Sequence, residues 1–151
     1  MNPLQVRVVG RDDLPGVLAL YRELRPNDPH LSLAAAEIVW SEMLANSNVS
    51  VVIGVDLGAV VSSCMLGVVP NLANGGRPFA VIEHLITAPS HRRKGFGRAV
   101  LEFTLAVAWS RQCYKVVLLS GAERSEAHRL YESVGFRGDT ERGFVAKPTG
   151  A

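Results

Sequence analysis

Ser90-His91-Arg92-Arg93-Lys94-Gly95-Phe96-Gly97-Arg98-Ala99 is the most specific segment of this 151-residue chain. It stands between an apolar run that reads as a strand, residues 79–87, and a long apolar run that reads as a helix to about residue 112. The first turn of a helix carries unpaired backbone N–H groups and a partial positive charge, so it accepts an anion. Gly95 and Gly97 have no Cβ and let the backbone come close to such a guest. Arg92, Arg93 and Lys94 form the only run of three like charges, and Arg98 adds to it. A pyrophosphate suits this combination. A dinucleotide fingerprint would need a third glycine where Val100 stands, and the Gly-Lys-Ser/Thr ending of a P-loop is absent. The plain alternative is a helix start with a basic surface turn.

Outside this segment the composition is that of one globular domain spanning 1–151: 48% apolar and 20% charged residues. The N-terminal stretch from Met1 to Gln5 shows no secretory signal. The most apolar stretch, residues 49–69, is interrupted by Ser50, Asp56, Ser62 and Ser63, so no membrane span is expected. Cys64 and Cys113 are the only cysteines, which fits reduced thiols in a cytoplasmic protein. A formal charge of +2 is too mild to argue for nucleic acid or a membrane surface.

Residues 4–8 alternate as a first strand. Asp12 or Asp13 is expected to cap a helix with Pro15 in its first turn, and Leu14, Val17, Leu18, Tyr21 and Leu24 form its apolar face. Ser32 caps a second helix to about Ala45, with Val39, Trp40, Met43 and Leu44 on the buried side. Residues 49–55 and 59–69 read as a hairpin across Asp56-Leu57-Gly58. A loop at 70–78 precedes the strand at 79–87. The helix from Gly97 looks too apolar all round for a surface position. Residues 114–119, apolar on both faces, read as a central strand. Residues 123–134 form a helix closed by Gly135 in the left-handed cap position, and 143–147 could close the sheet. The fold class is therefore α/β (α+β), a mixed sheet with helices on both faces.

Arg92-Arg93-Lys94-Gly95-Phe96-Gly97 resembles the Arg-x-x-Gly-x-Gly pyrophosphate loop of the GNAT superfamily of N-acetyltransferases. Val81-Ile82-Glu83-His84-Leu85-Ile86-Thr87 is similar to the family's fourth strand. Ala127-His128-Arg129-Leu130-Tyr131-Glu132-Ser133-Val134-Gly135-Phe136 is similar to its second signature. The resemblance implies the acyl-CoA N-acyltransferase fold, with a mostly antiparallel central sheet and acetyl-CoA (coenzyme A) as acyl donor without a metal. It implies that Leu85, Ile86 and Thr87 pair with the pantetheine arm. An N–H of Leu85 or Ile86 would act as oxyanion donor. Arg92, Arg93, Lys94, Gly95, Phe96, Gly97 and Arg98 would hold the pyrophosphate. Two departures stand out: Arg124 occupies the place of a common cofactor-contacting asparagine, and little chain follows Phe136.

The same resemblance makes Tyr131 the general acid for the departing thiolate. A phenol of pKa ~10 matches a thiol near ~8.5 well. The plain alternative is a core tyrosine. An alkylamine of pKa ~10.4 is neutral only about once in 2,500 molecules at pH 7. Glu83, between Val81 and Leu85 on an otherwise apolar face, is the candidate to accept its proton, directly or through water; otherwise it is an edge carboxylate in solvent. His84 faces the other way in a regular strand, though a bulge would change that, and reads as structural. His30, His91 and His128 lack metal-ligand spacing, and both cysteines read as buried small hydrophobes.

The expected partner is a small-molecule primary amine such as an amino sugar, with a homodimer open and no nucleic acid or membrane. Residues 113–118, with Ile82-Glu83 and Leu130-Tyr131-Glu132, are also similar to glucosamine-6-phosphate N-acetyltransferases, mostly through the shared core. Acceptor contacts are expected from residues 25–33 and from the 70–78 loop, which offers Asn71, Asn74 and Arg77. The alternatives are a protein or peptide amine acetyltransferase, a non-catalytic acyl-CoA sensor on the same fold, and a nucleic-acid module. The last lacks an aromatic stacking surface.

Overall fold

The computed structural model describes residues 4–150, so Met1 to Pro3 of the N-terminal stretch lie outside it. The described chain divides after Leu118 into two compact units. In the first, a five-stranded sheet runs in the order β1-β2-β3-β4-β5. β1 (Gln5–Val8), β2 (Val49–Asp56), β3 (Ala59–Val69) and β4 (Phe79–Thr87) are successively antiparallel, and β5 (Val116–Leu118) lies parallel to β4. β2, β3 and β4 follow one another through short connections, whereas two helices lie between β1 and β2. Between β2 and β3 only Leu57 and Gly58 turn the chain, both at positive φ (48° and 81°), as the preferred two-residue hairpin turn demands.

The pleat then sorts the β2 side chains. Val51 and Ile53 face α1 (Leu14–Leu24) and α2 (Leu33–Ala45), where they join Leu14, Val17, Ala36 and Trp40 in one cluster. On the other face, α4 (Phe96–Ser110) packs across β1 to β4 and buries Val100, Leu101, Thr104, Leu105 and Ala108. Helices on both faces are thus as expected. Trp40 also donates its indole N–H to the Arg11 carbonyl at 3.2 Å, pinning α2 to the turn before α1.

Several expectations need correction. In α2 the buried side is Ala36 and Trp40, with Met43 against the same cluster, while Val39 and Leu44 are exposed. Helical spacing i, i+4, i+7 selects one stripe, and a helix apolar all round gives no hint which. Likewise α4 is not buried all round: Phe103 and Trp109 reach solvent. Asp13 stands at the N-cap of α1, yet its carboxylate bonds back to the Gly10 N–H at 2.7 Å and to Arg7. β5 is an edge strand of only three residues, not a central one, and all three are half-buried. In the 70–78 loop a single turn, α3 (Ala73–Gly76), carries Asn74 and Gly75 in the left-handed region.

The second unit holds α5 (Ser125–Ser133) and irregular chain on either side. Residues 143–147, expected as a closing strand, are irregular. Phe144 and Val145 are 86% and 68% exposed. Among the described residues no helix is long and apolar enough to cross a membrane.

Candidate active site

β4 is the spine of the first unit's site. Its pairing with β5 stops at Ile82 opposite Leu118, while β4 runs on through residues 83–87. Beyond Ile82 the strand offers backbone N–H and C=O groups on an edge that β5 does not cover.

On the β3 side the register slips in the same stretch. Met65 lies opposite Glu83 and Ser63 opposite Ile86, so β4 holds one residue more than β3 between these pairs. The extra residue bends the chain at His84, whose φ is 53°. A histidine in the left-handed region is uncommon, and bulges of this kind gather beside functional sites. The bulge undoes strict alternation. His84 lies on the α1 face: its ring centroid is 5.7 Å from that of Tyr21 on α1. Glu83, on the same strand, is exposed, and Leu85, Ile86 and Thr87 are half-buried.

Past the bulge the strand end is fixed by Ser62, a fully buried residue of β3. Its hydroxyl donates to the Ile86 carbonyl at 2.9 Å and shares a 2.9 Å hydrogen bond with the Thr87 hydroxyl.

β4 leads through a short 3₁₀ turn, residues 89–91, into the basic loop and α4. Gly95 is the N-cap of α4 at φ 84°, and Arg93 before it is also left-handed at 61°. The first helical bond runs from the Ala99 N–H to the Gly95 carbonyl at 3.0 Å. The N–H groups ahead of it have no carbonyl within the helix to accept them. The loop also holds itself. Arg92 Nε donates to the Thr87 carbonyl at 3.2 Å, Lys94 Nζ to the Ser90 carbonyl at 2.9 Å, and Arg98 pairs with Glu102 at 2.9 Å. His91 Nε2 lies 3.2 Å from Asp56 Oδ2 at the end of β2, and its Nδ1 lies 2.8 Å from the Ser90 hydroxyl. The His91 ring meets Phe96 edge-on at 5.3 Å.

On the α1 face a polar group gathers that the sequence reading did not assemble: Tyr21, Arg25, Asp28, Glu83 and His84. Arg25 pairs with Asp28 in two hydrogen bonds, 2.6 and 3.2 Å. The Arg25 guanidinium holds the Asp28 carboxyl below the ordinary carboxylate range, with a smaller contribution from His84. Glu83 adds to the mainly Asp28-driven hold on the Arg25 proton. Burial pushes the Tyr21 phenol up, and the nearby Ser63 hydroxyl opposes that rise. Ser63 is fully buried without a hydrogen bond of good geometry. The sequence singled out Glu83 and the 25–33 connection separately, and no local pattern joins them to Tyr21 and His84.

In the 70–78 loop, two of the polar side chains bond within the chain. Arg77 donates to the carbonyls of Gln112 and Cys113, and Asn71 bonds within its own loop. Both thiols are buried. The Cys64 thiol is pushed up to about 12 by burial, and burial also raises that of Cys113.

In the second unit, Tyr131 stands in the last turn of α5 and is half-buried. The Gly135 N–H bonds to the Glu132 carbonyl at 3.1 Å and the Phe136 N–H to the Tyr131 carbonyl at 3.0 Å. With Gly135 at φ 105°, these are the two bonds of a Schellman cap. The Phe136 ring supplies the accompanying apolar contact, edge-on to Tyr131 at 6.1 Å. The second signature is therefore a helix stop that also orients a phenol.

Residues 17–136 match the Acetyltransferase (GNAT) family model. A glucosamine 6-phosphate N-acetyltransferase of Trypanosoma brucei brucei is 32% identical over 134 residues, 89% of each chain. Among solved structures, one from Agrobacterium tumefaciens str. C58 aligns at a TM-score of 0.89 with 37% identity, covering 95% of this chain and 99% of that one. A Trypanosoma brucei acetyltransferase aligns at 0.79 with 27% identity, covering 96% and 100%. The open edge of β4, the glycine-started α4 and the second signature are thus the parts of a known fold, and the chain is an N-acetyltransferase belonging to the GNAT family.

Proposed function

We propose that the chain moves an acetyl group from acetyl-CoA to the primary amine of a small polar acceptor, with an amino sugar such as glucosamine 6-phosphate first in order. The observation that carries this reading is the continuity of β4: an uncovered strand edge at residues 83–87 leads directly to the open first turn of α4. That edge and turn fit a long donor with an amide-bearing arm and a pyrophosphate. The amino-sugar preference comes from the 32% identical relative.

Acetyl-CoA supplies the activated acyl group. The backbone of Leu85, Ile86 and Thr87 pairs with the pantetheine arm, and the Leu85 or Ile86 N–H faces the carbonyl oxygen where negative charge develops. Ser62 serves this arrangement by holding the Ile86 carbonyl. Backbone at Gly95, Phe96 and Gly97 receives the pyrophosphate, with Arg92, Arg93, Lys94 and Arg98 around it. Tyr131 gives its proton to the departing thiolate. Glu83 stands on the proton-accepting side. A carboxyl at its reference pKa of ~4.3 lies ~6 units below an alkylammonium, about 8 kcal/mol, so direct transfer is steep. Glu83 is exposed, so solvent is at hand to carry the proton onward.

The test is release of free thiol from acetyl-CoA with a panel of amines: glucosamine 6-phosphate, glucosamine, an aminoglycoside, a polyamine and a lysine peptide. The expected result is the highest kcat/KM with glucosamine 6-phosphate. Preference for the peptide would transfer the reading to a protein amine acetyltransferase. Tight acetyl-CoA binding with no turnover on any amine would make the chain an acyl-CoA sensor.

A further inference from the structure

We propose that His84 is the first acceptor of the acceptor amine's proton, with Glu83 beside it to stabilise the imidazolium that forms. This rests on the acyl-transfer reading of the β4 edge given above.

Geometry is the starting point. The one extra residue in β4 places His84 in the left-handed region, at the point where the strand becomes uncovered on its β5 side. A non-glycine residue held there is maintained by its surroundings, and such strain collects at working sites. The bulge turns the ring onto the α1 face, against Tyr21, where the polar group of the site lies.

The Tyr21 ring of α1 lies against the His84 ring, and Asp28 feels the charge of His84. Glu83 precedes His84 in β4, and Arg25, at the C-cap of α1, lies within reach of both carboxylates. Arg25 is already engaged by Asp28 in two hydrogen bonds, so its charge is largely answered there. The remaining carboxylate, Glu83, favours a cation at the mouth of the site. It attracts the ammonium and afterwards the imidazolium.

Magnitudes favour an imidazole as the first acceptor. By ordinary values a carboxylate is about 10⁶-fold too weak a base for an alkylammonium, and an imidazole about 10⁴-fold. The hundredfold between them lies within what a positioned general base contributes. In the balanced step, the ammonium gives its proton to the His84 imidazole and the freed amine pair forms the C–N bond. The C–S bond breaks with its electron pair on sulfur. Tyr131 protonates that sulfur, the second proton shed by the nitrogen as it becomes the amide restores the Tyr131 phenol through solvent, and the imidazolium returns its proton to water beside Glu83.

His84→Asn is the informative variant, since asparagine tolerates the left-handed region and keeps the bulge. With glucosamine 6-phosphate as probe, kcat/KM is expected to fall about 100-fold. Its pH profile should move up until the rate rises only as free amine appears in solution. Free imidazole in the buffer should restore part of the rate in His84→Gly. A second readout needs no acetyl-CoA: the His84 ring signal in NMR, identified by its loss in His84→Asn, should shift saturably when glucosamine 6-phosphate is added. A His84→Asn profile superimposed on that of the wild type, or a ring signal indifferent to the amine, would overturn the role of His84 while acyl transfer by the wild type stands. A wild type that acetylates no amine would overturn both readings.

Discussion

The Phe136 N–H reaches back to the Tyr131 carbonyl at 3.0 Å, and the Phe136 ring closes edge-on over the Tyr131 ring at 6.1 Å. One residue thus ends α5 and fixes the side chain proposed as the general acid. Tyr131→Phe leaves the cap and the ring contact intact and removes only the hydroxyl. We expect kcat to fall about 100-fold with KM for acetyl-CoA nearly unchanged. An unimpaired kcat would remove Tyr131 from the acid role.

Gly95 starts α4 at φ 84°, and a Cβ built there meets no atom within 4 Å. Space is therefore not the constraint; torsion is. Gly95→Val should strain the N-cap by about 1–2 kcal/mol and raise KM for acetyl-CoA by roughly tenfold. Gly95→Asn, which tolerates the left-handed region, should do distinctly less. Equal effects of the two would mean that bulk, not torsion, governs the loop.

The contrast between what the residues announced and what they concealed has a physical pattern. β4 matched its expected bounds because Phe79 follows Pro78 and Pro89 stops the run two residues past Thr87. The hairpin was equally plain, since β-branched runs flank a turn that only Leu57 and Gly58 make. The basic loop was legible because a helix N-terminus has fixed chemistry. The bulge at His84 was not, because it exists only in the register of β4 against Met65 and Ser63, and no local pattern encodes a partner's register. β5 misled for a related reason. Apolar side chains on both faces of a strand say nothing of how many strands lie beside it.

Asp13 accepts from Arg7 at 2.6 and 2.9 Å and from the Gly10 N–H at 2.7 Å. The Arg7 hydrogen bonds hold its carboxyl below the ordinary 3.8, against the opposing effect of burial. A depressed folded-state pKa gives stability that is fully present above the unfolded value and is lost as pH falls through the folded value. Arg7 is 44% exposed, so the contribution is modest and screened by salt. Thermal midpoints of the wild type and Asp13→Asn should therefore differ at pH 6 and converge below about pH 3.8. A difference constant with pH would deny the ion pair.

Both cysteines are shut away, and the Cys64 thiol is raised to about 12 by burial. Alkylation needs the thiolate, which at pH 8 is then about one part in 10⁴ at Cys64. Iodoacetamide at pH 8 should leave the native chain unmodified by mass and add two groups after denaturation. Rapid labelling of the native protein would refute the inert reading of these residues.

His91 bridges Asp56 at the end of β2 and Phe96 at the start of α4, and so ties the sheet to the basic loop. Its side chain and that of Asp56 are 24% and 27% exposed, so the pair is only partly screened. Pairs of this kind contribute up to about 1 kcal/mol. If that energy goes into holding the loop in its binding shape, Asp56→Ala should raise KM for acetyl-CoA by up to about fivefold, which is about 1 kcal/mol at 25 °C. Nothing links the pair to the reacting atoms, so kcat at saturating donor should stay within about twofold. Asp56→Glu, which can restore a carboxylate to the imidazole, should recover part of the loss. A fall in kcat with KM unmoved would show that the bridge serves the chemistry of transfer rather than the capture of the donor.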